Sequence, residues 1–434
     1  MNKNDISIII LAAGKGSRMK SPKAKVLHNI CGKPMLYHII KSSKEISNDV
    51  SVVVAHQKEK VIEEMSLYFD DISFITQDAK NFPGTGGAMK NVSVKNEKVL
   101  ILNGDMPLIT ADALKGFLNT DSEIIMSIFN LENPDGYGRV IIEDSQVQKI
   151  VEQKDASEDE LKVTTINAGI YAFSKSVIDK YIPLLNNDNA QEEYYLTDVI
   201  SMAKNDGLSI SPLLVNEESF KGVNSKKDLS DSEVIMQNKI NTNWMNAGVI
   251  MQLPSTIYIE ESVTFEGECI IENGCRITGN TLIKDSHVKA GTIIEDSIIK
   301  NSSVGPLAHL RPASYLEDSH VGNFVEVKKS SLKGVKAGHL SYIGDAQVDS
   351  GTNIGAGVIT CNYDGIKKYQ TIIGKNVFVG SDSQLVAPIQ IEDDVMIAAG
   401  TTLTSGKVEK GSLAISRTKL RFIKDFYYKF FSKK

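Results

Sequence analysis

Apolar residues follow two rhythms along this chain, and the change from one to the other divides it. Up to about residue 220, apolar runs alternate with segments of helical spacing. The runs at 6–11, 50–55, 72–76, 99–102 and 124–129 read as strands, and 34–46 and 59–69 as amphipathic helices. This alternation predicts an α/β fold, Rossmann-like, with a mostly parallel sheet under helices and ligands at the carboxyl ends of its strands. Residues 225–246 read as one polar connecting helix with an apolar stripe of Leu229, Val234, Met236, Ile240 and Trp244. Beyond about 257, aliphatic residues recur every six positions, as at Ile271, Ile277 and Ile283 and again from Ile373 through Val379, Leu385, Ile391 and Ile397 to Leu403. That period predicts a parallel β-helix of hexapeptide repeats, in which stacking buries what one coil cannot. The run from Ile373 to Leu403 is taken as six successive turns. Cys269 and Cys275 are taken as stacked core residues one coil apart, about 4.8 Å by the strand spacing, rather than as a disulfide. The repeat falters near 284–303 and 360–371, and the second gap reads as a loop leaving the prism. Three segments follow: 1–224, 225–246 and 247–434.

Composition narrows the picture. The chain has 434 residues, a net charge of −6 and four cysteines without metal-type spacing, so neither wholesale nucleic-acid binding nor a disulfide scaffold is expected. The first residues form neither a signal-peptide core nor a membrane span, which points to a cytoplasmic location. The basic aromatic tail, 418–434, is expected as a helix on the last open coil and not as a stable membrane anchor.

Candidate chemistry begins at "LAAGKGSRM", where strand 6–11 runs into glycines, Lys15 and Arg18, with Lys23 and Lys25 beyond. It lacks the GxxxxGK[ST] order and the third glycine of GxGxxG. Two readings stay open: a cradle in which freed backbone amides and cations hold phosphates, or a βα turn with a solvated charge cluster. "LILNGDMPLI" ends an apolar strand in Asn103-Gly104-Asp105, placing one carboxylate where α/β sheets do chemistry, or simply capping a turn. Of seven histidines, His287, His309, His320 and His339 fall in the β-helix. His339 stands out by its neighbours Lys336, Ser341 and Tyr342 and by the loop that follows.

LAAGKGSRM with Lys25 resembles the signature of sugar-1-phosphate nucleotidyltransferases. The hexapeptide repeat with "KAGHLSYIG" and "NIGAGVITCNYDG" resembles the acetyltransferase half of the bifunctional N-acetylglucosamine-1-phosphate uridylyltransferase/glucosamine-1-phosphate N-acetyltransferase family. The resemblance runs through nearly the whole chain, the tail apart. It implies a uridylyltransferase domain at 1–224 and a left-handed β-helix acetyltransferase at 247–434. It further implies a bacterial enzyme feeding peptidoglycan and lipopolysaccharide synthesis, with acetyl-CoA and UTP as substrates, Mg²⁺ as cofactor and a homotrimer as its assembly. By the same resemblance, Leu11, Ala12, Ala13, Gly14, Lys25, Gln77, Gly84, Thr85, Asn103, Gly104 and Asp105 contact the nucleotide. Gly138, Glu152 and Asn167 contact the sugar, and Asp105 with Asn224 holds the metal. Some relatives carry an aromatic where Asn103 stands. Arg18 and Lys25 neutralise the α-phosphoryl group under attack. On the acetyltransferase side it implies His339 as general base with Glu326 a candidate orienter. Arg311, Lys328, Tyr342 and Asn353 would contact the amino-sugar phosphate, and Ala356, Asn362, Tyr363, Ser381, Ala399 and Arg417 acetyl-CoA. Two rivals remain open: a single-activity nucleotidyltransferase whose β-helix only oligomerises, and a non-catalytic nucleotide-sugar binder.

Overall fold

The computed structural model describes residues 5–118, 122–135, 137–151, 153, 156–189 and 191–432. Its contacts divide the chain into two compact units, Met1–Met236 and Gln237–Lys434.

The first unit is a nine-stranded mixed sheet. Its strands are β1 (Ile6–Leu11), β2 (Asp49–Val54), β3 (Ser73–Thr76), β4 (Lys98–Asn103), β5 (Ile124–Asn130), β6 (Arg139–Glu143), β7 (Gln146–Val151), β8 (Thr165–Ser174) and β9 (Ile210–Leu214). The main path runs β9-β5-β8-β4-β1-β2-β3, and β6 with β7 forms a hairpin hung on β8. β1 pairs in parallel with β2 and β4, whereas β8 runs antiparallel to β4 and β5. The central strands are apolar along most of their length because both sides are covered. Ile8, Ile10, Val52 and Val54 meet Leu36, Ile39 and Ile40 of α1 (Met35–Lys44) and Val61 of α2 (Lys58–Ser66). Ile9, Val53, Val99 and Ile101 face the other way, onto α3 (Lys175–Tyr181) and α4 (Asp198–Asn205). This alternation sends β1 and β4 to the same edge, where Leu11 lies beside Asn103.

The second unit is a left-handed parallel β-helix whose three faces hold ten, nine and nine strands. Here the structure corrects the coil count. Ile271, Ile277 and Ile283 lie on three successive faces of one coil, and their partners in the next coil are Val288, Ile294 and Ile299. The run from Ile373 to Leu403 is therefore six faces and two coils. Ile373 pairs with Ile391, Val379 with Ile397 and Leu385 with Leu403. Cys269 and Cys275 likewise sit on neighbouring faces of one coil and not above each other. All four cysteines are free thiols, and burial pushes Cys275 up to about 11. The faltering at 284–303 is a coil shorter than three full six-residue faces, since Ile283 stacks directly on Ile299. The gap at 360–371 is an expelled loop, because Val348 pairs across it with Ile373.

Two further expectations change. α5 (Lys226–Asn246) is the polar helix, but Val234 is exposed, since it lies well round the helix from the stripe that Leu229 and Met236 define, whereas Ile240 is buried and Trp244 packs edge-on against Phe265. The tail forms α6 (Phe426–Phe431), and residues 417–432 are exposed instead of covering the last coil. Six helical residues cannot present a long stripe, and their aromatic rings meet one another, Phe426 with Phe430 and Tyr427 with Phe431.

Candidate functional site

Two cavities open at the carboxyl edge of β1 and β4. The larger, of about 550 Å³, is lined by Leu11, Ala12, Ala13, Gly14, Lys15, Lys25, Gln77, Gly84, Thr85, Asn103 and Asp105. The smaller, of about 230 Å³, is lined by Asn103, Asp105, Tyr137, Asn167, Gly169 and Asn224, among others. Asn103 and Asp105 belong to both, so they stand at the junction. A nucleotide-sized space and a sugar-sized space meet there.

Local structure explains who arrives at that junction. Buried Val26 and Leu27 anchor the short helical turn Lys25–Leu27, which aims Lys25 inward. Gly16 lies in the left-handed region at φ 61°, and a Cβ there would lie 2.5 Å from the Lys25 Cβ, so the glycine loop and Lys25 fit only without a side chain at position 16. Lys25 Nζ donates to Asp105 Oδ2 in a short ion pair and to Asn224 Oδ1 at 3.2 Å. Arg18 Nη2 donates to the same Asn224 oxygen at 2.9 Å. The Val223 amide donates to the Asp105 carbonyl at 2.9 Å, tying the segment that carries Asn224 to the end of β4.

One ammonium reaching both oxygens shows that a cation fits between Asp105 and Asn224. No group of three or more His, Cys, Asp and Glu that could hold a metal ion occurs among the described residues. A lone carboxylate with an amide oxygen instead suits Mg²⁺, which completes its shell with phosphate oxygens and water.

Other residues of this site are partly engaged by the protein itself. The Gln77 amide donates to the carbonyls of Phe82 and Gly84 and braces the helical turn Gly84–Gly87. The Thr85 hydroxyl accepts from the Leu196 amide at 3.1 Å. Asn103 Nδ2 donates to the Gly169 carbonyl at 3.1 Å. Asn167 donates to the Tyr171 hydroxyl and accepts from the Gly169 amide, both within β8. Gly104 packs against Leu11 and Ala12. Gly138 ends the loop into β6, and Glu152 lies outside the described residues.

On the β-helix the candidates gather at the two ends of the second face. His339 ends the strand Lys336–His339 at the corner from the first face to the second. Ser341 donates to both the His339 and Gly355 carbonyls, linking that corner to the next coil. Ala356, Ser381, Ala399 and Arg417 continue the same corner. The Asp382 amide donates to the Ala356 carbonyl, the Gly400 amide to that of Ser381, and Arg417 Nη2 to that of Ala399 at 3.2 Å. Asn353 stays on the first face, paired with Lys336.

At the far corner, Arg311 follows the strand His309–Leu310, Lys328 and Gly344 close their strands, and the expelled loop begins with Asn362 and exposed Tyr363. Asn362 Nδ2 donates to Asp345 at 2.6 Å. Lys368, from the loop, stands beside Lys328 and holds its ammonium below the usual lysine range. The Tyr342 ring spans the face, since a Cβ at Gly344 would lie 2.4 Å from its hydroxyl. Glu326 makes no hydrogen bond to His339 among the described residues. Its carboxylate accepts from Arg311 Nη1 at 2.9 Å, and the imidazole hydrogen-bonds no side chain among the described residues.

Three residues escaped sequence reasoning. Buried Arg139 donates to the carbonyls of Pro134 and Tyr137 and braces the loop before Gly138. Lys368 sat unweighted in "DGIKKYQ". Asp228 had a readable signal, the Ser-x-x-Asp that opens α5.

Residues 8–135 match the family model of the MobA-like NTP transferase domain, and residues 370–405 that of the hexapeptide repeat of succinyl-transferase. The chain is 74% identical to the bifunctional protein GlmU of Sulfurimonas denitrificans over 100% of both chains. It is 60% identical to the protein of that name from Nitratiruptor sp., over 98% of this chain and 99% of the relative. The corresponding protein of Campylobacter concisus is 53% identical, over 99% and 98%.

Proposed function

The chain belongs to the family of bifunctional GlmU proteins, and on that premise we propose how its own residues divide the work of two reactions. The enzyme makes UDP-N-acetylglucosamine. It transfers acetyl from acetyl-CoA to glucosamine-1-phosphate, then uridylyl from UTP to N-acetylglucosamine-1-phosphate, releasing pyrophosphate.

For uridylyl transfer, the carrying observation is that Lys25 and Arg18 converge on Asp105 and Asn224 where the two cavities join. Backbone amides of residues 11–14 cradle the triphosphate, and Gln77 with Gly84 and Thr85 borders the base. The sugar phosphate lies in the smaller cavity beside Asn167, and the family resemblance adds Gly138 and Glu152 as sugar contacts, Glu152 lying outside the described residues. Its oxygen attacks the α-phosphorus in line, and pyrophosphate leaves. Lys25 and Arg18 take up the charge that builds on the α-phosphoryl oxygens, so positioning and neutralisation supply the rate. Asp105 and Asn224 hold Mg²⁺, which contributes charge neutralisation when bound.

For acetyl transfer, Arg311 and Lys328 hold the phosphate of glucosamine-1-phosphate, with Tyr342 and Asn353 on its sugar. His339 removes a proton from the sugar ammonium, the freed amine attacks the thioester carbonyl, and CoA thiolate leaves. The corner running through Ala356, Ser381, Ala399 and Arg417, with Asn362 and Tyr363, carries the coenzyme. The three segments 1–224, 225–246 and 247–434 serve as uridylyltransferase, connector and acetyltransferase. The enzyme works in the cytoplasm as a homotrimer. No helix among the described residues is long and apolar enough to cross a membrane.

One assay tests the whole reading: acetyl-CoA, glucosamine-1-phosphate, UTP and Mg²⁺, with CoA and pyrophosphate followed separately. Both products are expected. His339→Ala is expected to slow CoA release by roughly a hundredfold or more while pyrophosphate release from supplied N-acetylglucosamine-1-phosphate stays intact. Pyrophosphate without CoA from the wild-type protein would leave a nucleotidyltransferase on a passive β-helix. Neither product would leave a binding protein.

A further inference from the structure

Asn224 is held by a device that none of its cation contacts explains. Asp228 Oδ2 accepts from the Asn224 amide at 3.1 Å, from the Ser225 amide at 2.9 Å and from the Ser225 hydroxyl at 2.9 Å. The Ser225 hydroxyl in turn accepts from the Asp228 amide at 3.1 Å. This is a reciprocal cap at the first turn of α5, reaching one residue further back than a capping box requires. The extra bond fixes the backbone of Asn224. At the side chain, Asn224 Nδ2 donates to the Gly222 carbonyl at 3.4 Å, so the amide oxygen is the end turned toward Lys25 and Arg18. Both cations can only donate, which agrees with this orientation of the amide.

We propose that Asp228 is a positioning residue for uridylyl transfer, fixing the amide oxygen of Asn224 in its cation-facing orientation through the cap it forms at the start of α5. The proposal rests on the reading of Asp105 and Asn224 as the metal-holding pair. Asp228 makes its side-chain hydrogen bonds to Asn224 and Ser225 and acts through Asn224. Lys25 comes from a different element, the turn Lys25–Leu27, so losing the Asp228 bond leaves Asp105 and Lys25 in place while Asn224 loses its aim.

The test is Mn²⁺ binding to the full-length protein in the presence of UTP, read by electron paramagnetic resonance, alongside pyrophosphate release against metal concentration. Asp228→Ala is expected to weaken Mn²⁺ binding by roughly ten- to a hundredfold, the range for partners that orient a metal ligand, and saturating metal is expected to restore the maximal rate. Asp228→Glu, which rebuilds a Ser-x-x-Glu cap, is expected to recover most of the affinity. Asp231→Asn, which removes only the exposed Lys227 pair on the same helix, is expected to match wild type. Should Asp228→Ala fail to fold by circular dichroism, Asp228→Ser keeps a polar side chain too short to reach Asn224 and takes its place. Wild-type Mn²⁺ affinity in Asp228→Ala, with Asn224→Ala and Asp105→Ala weakened, overturns the positioning role and leaves the metal pair standing. Wild-type affinity in all three variants overturns the metal pair itself.

Discussion

At the scale of single residues, the nucleotide site is a set of opposed charges resting against each other. Lys25 and Arg18 satisfy Asp105 and Asn224 in the same place that the proposed reading gives to a metal and a triphosphate. On the proposed reading, Lys25 would compete with metal before nucleotide arrives and would serve the phosphates afterwards. Lys25→Met is expected to show both sides. Pyrophosphate release should fall by about a hundredfold or more, as when one preorganised charge is removed from a transition state. Mn²⁺ binding without nucleotide should become tighter, because Asp105 is left without its ammonium. Unchanged pyrophosphate release in this variant would remove Lys25 from the mechanism. Gly16→Ala tests the same residue through the backbone. The new Cβ collides with Lys25 and must adopt a left-handed φ, so uridylyl transfer should fall while acetyl transfer is untouched, as the two product assays would report.

At the scale of elements, what the sequence disclosed depended on whether a signal was local. β1, β2 and β4 were readable because strands covered on both sides are mostly apolar, and Asp105 was readable because it follows such a strand. The hexapeptide period was equally plain, yet it marks a face and not a coil, so the stacking of Ile271 on Val288 became visible only in three dimensions. The same limit hid the Glu326–Arg311 pair. These residues lie in neighbouring coils, and the length of each coil decides which side chains meet. Stacking also sets the pH response of the prism. His320 accepts from or donates to the Ser303 hydroxyl at 2.7 Å, and burial, with Lys289, His339 and Lys336 nearby, lowers its pKa from 6.5. The unfolded chain then binds the proton more readily than the folded one. This contribution to stability is complete above pH 6.5 and is lost as the pH falls toward the folded value. The thermal midpoint is expected to drop between pH 7.5 and 5.5, and His320→Gln should make that drop shallower. An equal drop in both proteins would assign it to other groups. Leu332→Ala, by contrast, opens a cavity in the sealed interior and should cost about 2–5 kcal/mol at any pH, measured by denaturant unfolding.

At the scale of the whole molecule, the residues proposed for acetyl transfer pose a geometric problem. A coenzyme-sized ligand is normally bound in a concavity that covers most of its surface. The corner that runs through His339, Ala356, Ser381 and Ala399 is the convex edge of a prism, and a convex edge supplies one wall. Beside it, the outward row of the first face ends in Phe378, Met396 and Leu413, stacked in successive coils and 47%, 51% and 60% exposed. An apolar ladder of this kind in water marks a surface that another protein covers. A second copy of the chain set against that face would bury the ladder and give the corner its missing wall, and a head-to-tail contact that closes after three copies gives the proposed homotrimer. Met396→Asp places a charge in the middle of the ladder without touching the prism interior. It is expected to lower the mass seen by light scattering from three chains to one and to abolish most CoA release. Pyrophosphate release should persist, since every residue proposed for uridylyl transfer lies in the first unit. A wild-type protein that is monomeric in solution and releases CoA at full rate would show instead that one convex corner is enough.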